Sequence, residues 1–373
     1  MVVRVYLKQA WNLMKQNPLF STLYIVGTGI SIVMTMVIAI VYYVRLAPVY
    51  PETNRMRTLV VKSAKMTNDE STHSSNISYA MLKDWFYSLE SAEVSTGVSG
   101  TSYARVTNDK EEIPTYARYT DENFFRVFPL VFLEGKPFTE VDRRSGIHNV
   151  VLTDSYAQQL FGTTKGVVGK NFLMDYTNVK VVGVVKSGSF LTPDSYAQVY
   201  LPYSCRDGYD DEGSHWALGG YRVYILMKES KSVTDVQDEV LELVRKFNVS
   251  DMGDGWKLDL VGQPELYWHS TFRLWSNVAV DWGRVIWMFV GIFMVLLFVP
   301  AFNLSGMISA RMERQLPDLG IRKAFGASRR RLLVQIIWEN LLLTGLGTLL
   351  GLVIAWIVLA LSGYEIFSLF EVF

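Results

Sequence analysis

The sequence predicts an α-helical membrane protein with a large α+β domain inserted between its first and second membrane-spanning helices. Hydrophobic residues make up 50% of the 373 positions and charged residues only 19%, and the mean hydropathy is positive. The charged residues are concentrated in the long middle segment. Three runs contain no Asp, Glu, Lys or Arg: residues 19–44, 285–310 and 340–364. These apolar runs, separated by a long water-soluble segment, define the fold class.

Each of the three apolar runs is 25 or 26 residues long. At about 1.5 Å of rise per residue, such a helix covers roughly 38 Å, which is enough to cross a hydrocarbon core of about 30 Å with some tilt. We therefore expect spans over residues 19–45, 283–310 and 332–364. The first run exceeds the apolar stretch of about 7 to 15 residues found in a cleaved signal peptide, so we interpret it as a retained anchor.

Basic residues predict which side of the membrane each loop occupies. Arg4, Lys8 and Lys15 precede the first span, and the loop 311–331 contains seven Arg and Lys but only two acidic residues. Short loops rich in Lys and Arg remain in the cytoplasm. For residues 329–331, this rule or binding of anionic lipid explains the charge at least as well as a contact site for a partner protein. Residues 46–282 then lie on the opposite side as one extracytoplasmic domain.

Residues 1–18 are predicted to form an amphipathic helix on the cytoplasmic membrane surface. Their apolar and basic side chains recur at helical spacing on two different faces. The residue before a proline is disfavoured in the α conformation, so Asn17 and Pro18 are expected to end this helix before the first span.

The extracytoplasmic segment combines strand and helix patterns and is predicted to form an α+β domain with more than one lobe. "RTLVVKSA", "VKVVGVVKS", "AQVYLPYS" and "YRVYILMK" are short and rich in β-branched and aromatic residues, as strands are. Residues 232–248 show helical periodicity behind a capping pair formed by Ser232 and Asp235. "NVVLTDSYAQQLFG" predicts a strand, an N-cap at Thr153, a short helix and a C-cap at Gly162.

Four aromatic residues before the second span recur at helical spacing: Trp268, Phe272, Trp275 and Trp282. One explanation is an aromatic belt at the membrane surface, which suits Trp282 but not Trp268, because 14 residues of helix separate them by roughly 21 Å. We therefore expect a helical stalk that continues the second span outward into the domain.

No motif in the sequence indicates catalysis, metal binding or ATP binding by this chain. "GVVGKN" is too short for a phosphate-binding loop, and the G-x-S-x-G and H-E-x-x-H patterns do not occur. The four histidines have no metal-ligand spacing, and Cys205 is the only cysteine, so an intramolecular disulfide is impossible. We therefore assign no catalytic residue, no metal site and no cofactor to this chain.

Small residues at four-residue spacing predict close helix packing in the membrane. Gly27 and Ser31 lie in the first span, and Gly347 and Gly351 lie in the third. Between the second and third spans, residues 317–325 can form a short helix that ends at Gly326, and Ser328 can cap the next helix. This pattern predicts two helices joined by a bend at the cytoplasmic surface, and we call residues 311–331 the elbow.

The elbow sequence "ERQLPDLGIRKAFGAS" resembles the cytoplasmic loop of MacB- and FtsX-type permeases, a superfamily of ABC transporters. Their pattern is E-R-x-x-E-[IL]-G-[IV]-x-[RK]-x-x-G-A-[ST]; this chain has one residue more after Arg314, and Asp318 stands where the family usually has Glu. "FFRVFPLVFLEGKPFT" and "NVVLTDSYAQQLFGTTKGVVGKNF" are similar to the periplasmic core domain of MacB-like permeases. The resemblance assigns contact with an ATPase to Glu313, Arg314, Asp318, Gly320, Ile321, Arg322, Lys323, Gly326, Ala327 and Ser328.

The resemblance implies a permease subunit in the bacterial cytoplasmic (inner) membrane. It implies a homodimer or heterodimer of permeases with two copies of a separate ABC ATPase, which would bind ATP and Mg, and no nucleic acid. Movement, rather than substrate, would pass along the helices to the outer domain, for export or extraction of a substrate; a periplasmic or outer-membrane partner is compatible with this. Such permeases have four spans, so we expect the fourth to be absent here, with residues 365–373 on the outer face.

Two other functions fit the same sequence. An FtsX-like subunit would regulate an extracytoplasmic enzyme without transporting anything. A membrane-anchored receptor or enzyme would need no ATPase, and its soluble domain would be active alone.

Overall fold

The computed structural model describes residues 11–12, 14–15, 18–100, 102–108, 111–190, 192–210, 216–250, 255–296, 298, 301, 305, 320–321, 324–325 and 328–361. The described residues form two compact units. The helical unit contains those up to Tyr43 and those from Trp282 onward. The inserted domain contains Val44–Asp281. Most of the predicted surface helix at residues 1–18 lies outside the described residues.

The secondary structure alternates between strands and short helices within the inserted domain. The helices are α1 (Pro18–Leu46), α2 (Tyr79–Asp84), α3 (Phe124–Val127), α4 (Glu140–Arg144), α5 (Asp154–Phe161), α6 (Val233–Val249), α7 (Trp282–Leu296) and α8 (Arg329–Leu361). The strands are β1 (Thr58–Val61), β2 (Ala64–Thr67), β3 (Thr72–Ile77), β4 (Ala92–Ser99), β5 (Ser102–Asn108), β6 (Glu111–Thr120), β7 (Phe132–Gly135), β8 (Asn149–Thr153), β9 (Asn171–Met174), β10 (Thr177–Val185), β11 (Val199–Pro202), β12 (Leu218–Gly219), β13 (Tyr221–Met227), β14 (Lys257–Asp259) and β15 (Glu265–Leu266).

Two helices of the helical unit are long and apolar enough to cross a membrane. The apolar parts are Ser21–Leu46 of α1 and Ile336–Val358 of α8, in agreement with the first and third predicted spans. α7 is also apolar but shorter, and most of the predicted second span beyond it lies outside the described residues. The last three residues of α1 belong to the inserted domain.

α1 and α8 pack closely through small residues. A Cβ atom added to Gly351 would lie 2.7 Å from the carbonyl oxygen of Gly29, so the two backbones almost touch. The Tyr24 and Thr344 hydroxyls are 3.0 Å apart in the same helix pair. Gly347 and Gly351 therefore lie on the face of α8 that meets α1.

The predicted contact face of α1 is displaced. Gly347 and Gly351 meet Thr28 and Gly29 rather than Gly27 and Ser31. The Ser31 hydroxyl donates to the Gly27 carbonyl at 3.0 Å, within α1. Overlapping sets of small residues occur in this helix, and packing against α8 selects one of them.

The inserted domain contains two sheets. The first has eight strands, in the order β14-β2-β3-β13-β1-β15, with β12 beside β3 and β4 beside β13. The second has seven strands, in the order β7-β10-β8-β11-β6-β5-β9. Because β9 also pairs with β10, this second sheet closes into a small barrel, and β7 extends it from β10. The predicted α+β class is confirmed.

Local sequence patterns explain several elements of this domain. α6 begins with a complete capping box, in which the side chains of Ser232 and Asp235 each accept a bond from the other's backbone. Thr153 caps α5, and Gly162 ends it at φ 70°, a left-handed conformation that glycine adopts without strain. Both helices lie where the sequence predicts them.

Three apolar clusters form the interior of the inserted domain. One packs α2 and α6 on the first sheet, and one fills the barrel. The third lies between the two sheets and is rich in aromatic rings, including Phe124, Phe128, Tyr200 and Tyr224. A shared core of this kind makes the two lobes one packed body.

Side chains from the end of β6 bond the free edge of β4 and so join the two sheets. The backbone N–H of Gly97 donates to the Asp121 carboxylate at 2.9 Å. The hydroxyl of Thr120 donates to the Gly97 carbonyl at 3.0 Å, and the amide of Asn123 donates to the Ser95 carbonyl at 3.2 Å. These side chains take the place of a further strand at an edge that would otherwise be unpaired.

Asp121 is the centre of this seam. It is completely buried and also accepts hydrogen bonds from the hydroxyls of Thr96, at 2.6 Å, and Tyr87, at 2.5 Å. Burial raises the pKa of Asp121 to about 6, and the bonds from Thr96, Tyr87 and Gly97 act against that rise. The carboxyl therefore remains partly protonated well above the ordinary range of an aspartate.

Replacing Gly347 by alanine is expected to lower the melting temperature of the protein in detergent micelles. The new methyl carbon would lie 2.8 Å from Thr28 Cβ and 3.0 Å from the Ile25 carbonyl oxygen. Overpacking costs about 1–3 kcal/mol, which offsets the gain of about 1 kcal/mol in helix propensity. The matched control is Gly345→Ala, where nothing lies within 4 Å. A melting temperature equally unaffected by both changes would contradict the packing.

The pH dependence of stability is expected to show the titration of Asp121. An aspartate titrates near 3.9 in an unfolded chain, and Asp121 has a pKa of about 6 in the fold. The folded state therefore binds more protons between these values, so the free energy of unfolding falls by about 3 kcal/mol as pH rises from 4 to above 6. In an Asp121→Asn variant the new side chain does not titrate, so this change in stability would be lost.

Denaturant unfolding of the wild type and of Asp121→Asn between pH 4 and 8 would isolate this effect, because other groups titrate equally in both. The stability difference between the two proteins should shrink as pH rises through 6 and then stay level. A difference that is constant across this range would exclude a raised pKa at Asp121.

Candidate functional site

The candidate site lies at the two ends of the inserted domain, where the chain continues into α1 and α7. In the segment after α1, the buried Arg55 pairs with the buried Glu52. In the segment before α7, the buried Arg273 side chain pairs with Glu265. We call these two ion pairs the first clamp and the second clamp. Each fixes a chain connection to the body of the domain.

The first clamp holds the end of α1. The Arg55 guanidinium donates to the carbonyl oxygens of Val44, at 2.7 Å, and Ala47, at 3.0 Å, and also contacts the Glu52 carboxylate. The last carbonyls of a helix have no partner within it, and a positive charge there is favoured by the helix dipole. Arg55 is thus a charged C-terminal cap that is only 3% exposed.

Glu52 connects this cap to the barrel. Its carboxylate accepts a hydrogen bond from the Ser195 hydroxyl at 2.7 Å, and Ser195 lies in the loop between β10 and β11. Burial raises the pKa of Glu52, and the neighbouring charge of Arg55 opposes this rise. A buried ion pair is stable only when further hydrogen bonds offset the loss of hydration. The contacts to α1 and to Ser195 provide such bonds, and the Arg55 Nε–H alone has no partner in this clamp.

The second clamp folds the returning chain against the domain. Nε and Nη2 of Arg273 donate to the two carboxylate oxygens of Glu265 at 2.7 and 3.0 Å, a bidentate geometry. Nη1 also donates to the Val278 carbonyl, and the Ser63 hydroxyl donates to the Ser276 carbonyl. The chain that follows Arg273 is therefore held in a defined turn.

Tyr267 connects the two clamps. The Arg55 guanidinium lies over its ring, 5.1 Å from the ring centre, in a cation–π contact. Tyr267 directly follows β15, which begins with Glu265 and pairs with β1. Its backbone N–H donates to the Thr58 carbonyl at 2.9 Å. Arg55 of the first clamp and Glu265 of the second clamp are thus both connected to the paired strands β1 and β15.

The predicted helical stalk over residues 268–282 is wrong. His269–Phe272 form a single 3₁₀ turn, residues 273–281 are not helical, and α7 begins at Trp282. In an α-helix the carbonyl of residue 278 would accept from the N–H of residue 282. Here that carbonyl accepts from Arg273 instead, because the second clamp bends the chain.

The four predicted stalk residues consequently do not share a helical face. Trp268 packs against His269 and Phe272, with ring centres 4.0 and 6.5 Å away. Trp275 is 66% exposed in the turn after Arg273, and Trp282 is the first residue of α7.

A second charged cluster surrounds Asp194, the neighbour of Ser195 in the chain. Arg222 in β13 donates to its carboxylate at 3.2 Å, and the Lys62 ammonium lies 3.9 Å away. Burial alone would raise the pKa of Asp194, but the charges of Lys62, Arg222 and Arg118 hold it below its usual range. The loop that bonds the first clamp therefore also bonds the first sheet.

The predicted ATPase-contact segment is described only in part. Gly320 and Ile321 are helical, and the N–H of Phe325 donates to the Ile321 carbonyl at 3.1 Å. α8 begins directly after Ser328, where the sequence predicts its start. The remaining predicted contact residues lie outside the described residues: Glu313, Arg314, Asp318, Arg322, Lys323, Gly326 and Ala327.

No metal centre is visible in the described part of the chain, where no three His, Cys, Asp or Glu residues are grouped to hold an ion. Cys205 is half-buried, and burial raises the pKa of its thiol to about 12, so the thiol stays protonated at neutral pH. The lack of catalytic residues and cofactors in this chain stays a prediction.

No sequence motif distinguishes the four clamp residues. One shared pattern was present: Glu52 and Glu265 each follow a proline, in "YPE" and "QPE", close to a predicted span. The partners, however, are three and eight residues further on, at spacings that are equally common in solvated turns. Only the folded domain reveals that these charges are buried.

Replacing Arg55 by methionine is expected to destabilise the inserted domain by about 3–5 kcal/mol, because Glu52 would remain buried without a counter-ion. The matched control is Arg245→Met, since Arg245 and Glu242 form an ion pair whose side chains are 77% and 52% exposed. Such exposed pairs contribute about 0.5 kcal/mol or less. Urea unfolding of the full chain followed by tryptophan fluorescence would measure both. Equal losses would show that the first clamp is not a structural contact.

Two family models match the chain. The MacB-like periplasmic core domain matches residues 20–243, and the FtsX-like permease C-terminal domain matches residues 277–372. Curated relatives are the macrolide export ATP-binding/permease proteins MacB of Escherichia coli O157:H7, E. coli strain K12 and Shigella flexneri. Each is 22% identical over 268 residues, covering 70% of this chain and 39% of the relative. The chain thus spans about two fifths of the length of these relatives.

Two solved structures are similar to parts of the chain. One is the periplasmic region of MacB from Actinobacillus actinomycetemcomitans, with a TM-score of 0.38, 16% identity, and 53% of this chain and 88% of that chain covered. The other is the extracellular domain of the noncanonic ABC-type transporter YknZ from Gram-positive bacteria, with a TM-score of 0.37, 16% identity, and 53% and 99% covered. Since the core-domain model alone matches more than half of its length, the chain belongs to the MacB/FtsX family of ABC transporter permeases.

Proposed function

We propose that this chain is the permease subunit of an ABC complex that couples ATP hydrolysis on a separate ATPase chain to movement of the inserted domain. The movement would export or extract a substrate on the periplasmic side of the bacterial inner membrane. The observation that carries this proposal is the first clamp, in which Arg55 attaches the end of α1 to the domain. We infer mechanical coupling from that attachment.

A helix that is capped by a buried ion pair transmits displacement, whereas a helix followed by a flexible linker does not. The eight residues between Leu46 and Arg55 would allow independent movement if they were free. Instead, Arg55 bonds α1, and Glu52 bonds Ser195 in the barrel. Any shift of the end of α1 therefore acts directly on the inserted domain.

The second clamp supports the same function at the other connection. Arg273 fixes residues 273–278 against Glu265, and α7 begins four residues after Val278. Both end segments of the inserted domain are therefore bonded to its body. A simple membrane anchor for a soluble receptor or enzyme would need only one such connection.

The proposed ATPase seat is the segment from residue 313 to residue 328. Within it, Ile321 and Phe325 lie one helical turn apart and are 57% and 88% exposed. Exposed apolar side chains at this spacing are typical anchors for a groove in a partner. In the proposed complex, two permease chains, identical or homologous, each bind one ATPase, which carries the ATP and Mg site.

A pull-down with an ABC ATPase from the same organism would test the seat. Phe325→Asp, and separately a variant with Gly320, Arg322 and Gly326 altered, should reduce ATPase recovery several-fold. Val249→Asp is the matched control, because Val249 is also 88% exposed but lies in the inserted domain. Undiminished recovery with both seat variants would contradict the proposed contact.

A second measurement would test the coupling itself. Spin labels at Val249→Cys, in a chain with Cys205→Ser, would report the distance between the two inserted domains of a reconstituted complex. ATP with vanadate should shift this distance. The pair Glu52→Gln and Arg55→Met should reduce the shift while ATPase recovery stays unchanged. A full shift in that variant would show that force does not pass through the first clamp.

A further inference from the structure

The turn that follows Arg273 exposes a short apolar surface. Leu274, Trp275 and Val278 are 51%, 66% and 52% exposed. No charged residue occurs from Leu274 to Val280, and the polar residues in this stretch, Ser276 and Asn277, carry no charge. Isolated exposed apolar residues need no explanation, but three within five positions around a tryptophan do.

The second clamp holds this surface in a fixed conformation. Arg273 donates to the Val278 carbonyl, the Ser63 hydroxyl donates to the Ser276 carbonyl, and the N–H of Val278 donates to the Trp275 carbonyl at 3.1 Å. The turn is bonded at three points, so its apolar side chains are presented to the outside by a defined backbone.

The position of this turn in the chain indicates what covers it. α7 begins at Trp282, and four residues span at most about 14 Å, so Val278 lies within that distance of the start of the apolar helix. The headgroup region on each side of a bilayer is about 5–8 Å thick. A turn this close to a membrane helix lies within reach of the lipid interface.

We propose that Leu274, Trp275 and Val278 insert into the outer lipid interface and anchor the returning end of the inserted domain to the membrane surface. The chemistry favours lipid over a protein partner. Tryptophan combines a large apolar ring with one N–H donor and is enriched at the headgroup level. The surface is small and has no charge that would select a protein. This proposal rests on α7 entering the membrane but is independent of any ATPase.

Contact with lipid also explains why Trp275 is exposed, which a helical stalk does not explain. The tryptophan is not part of a rod continuing into the domain; it is a lateral contact of the domain with the bilayer. The second clamp then has two functions, because it stiffens the chain connection and presents the lipid-contacting turn.

Spin-label accessibility in the full chain tests this contact. Single cysteines at Leu274→Cys or Val278→Cys, in the Cys205→Ser background, would be labelled and reconstituted without ATPase into vesicles of phosphatidylethanolamine and phosphatidylglycerol. Collision rates would be measured with oxygen, which concentrates in lipid, and with a neutral nickel chelate, which concentrates in water. Val249→Cys, on an exposed position of α6, is the control.

The ratio of oxygen to nickel collisions should be several-fold higher at positions 274 and 278 than at 249. Adding Trp275→Asp should lower the ratio at position 278 toward the control value. Equal ratios at all three positions would place the turn in water, and low rates with both reagents would place it under protein. Either result would overturn the proposal while leaving the ATPase-coupling hypothesis to its own test.

Discussion

The buried arginine–glutamate pair at each end of the inserted domain is the constraint on which the rest of the structure depends. Removing two opposite charges from water costs several kcal/mol for each ion, and attraction restores this only with good geometry and further bonds. Both pairs meet that condition: Arg55 bonds two carbonyls at the end of α1, and Arg273 bonds Glu265 in bidentate fashion. Such pairs contribute little net stability compared with apolar packing. What they contribute is a defined orientation at a point where the chain would otherwise be free.

The body to which these clamps attach is held together by several independent contacts between its two sheets. An aromatic core lies between the sheets, Asp121 and its neighbours bond the edge of β4, and the loop between β10 and β11 reaches both lobes. Two adjacent residues of that loop make these contacts. Ser195 bonds Glu52 of the first clamp, and Asp194 bonds Arg222 on the first sheet. Under the proposed coupling, displacement of the end of α1 would act on both sheets at once, and not on the barrel alone.

Sequence patterns predicted those parts of the fold that are determined by residues close together in the sequence. The capping box at Ser232 and the caps of α5 each depend on residues a few positions apart, and the structure contains both. The small-residue pair Gly347 and Gly351 is equally local and lies against α1. The prediction of a helical stalk was wrong because aromatic residues at helical spacing do not by themselves make the chain between them helical. A long-range bond from Arg273 determined its conformation. The clamps were missed for the same reason, since burial of a charge is decided by the fold and not by its neighbours in sequence.

The packing of α1 on α8 supports the proposed transmission of force, rather than passage of a substrate between these two helices. α1 and α8 approach until the backbone at Gly29 nearly touches Gly351, which leaves no space for water between them there. Two hydroxyl groups nearby are bonded within the helices that carry them, Thr35 to the Ser31 carbonyl and Thr348 to the Thr344 carbonyl, and the Thr28 hydroxyl is buried at the contact. A polar substrate would need groups that are free to replace its hydration, and a path wide enough to enter. α1, which packs closely on α8 and ends in a buried ionic cap, is instead suited to the proposed role of carrying displacement along its length.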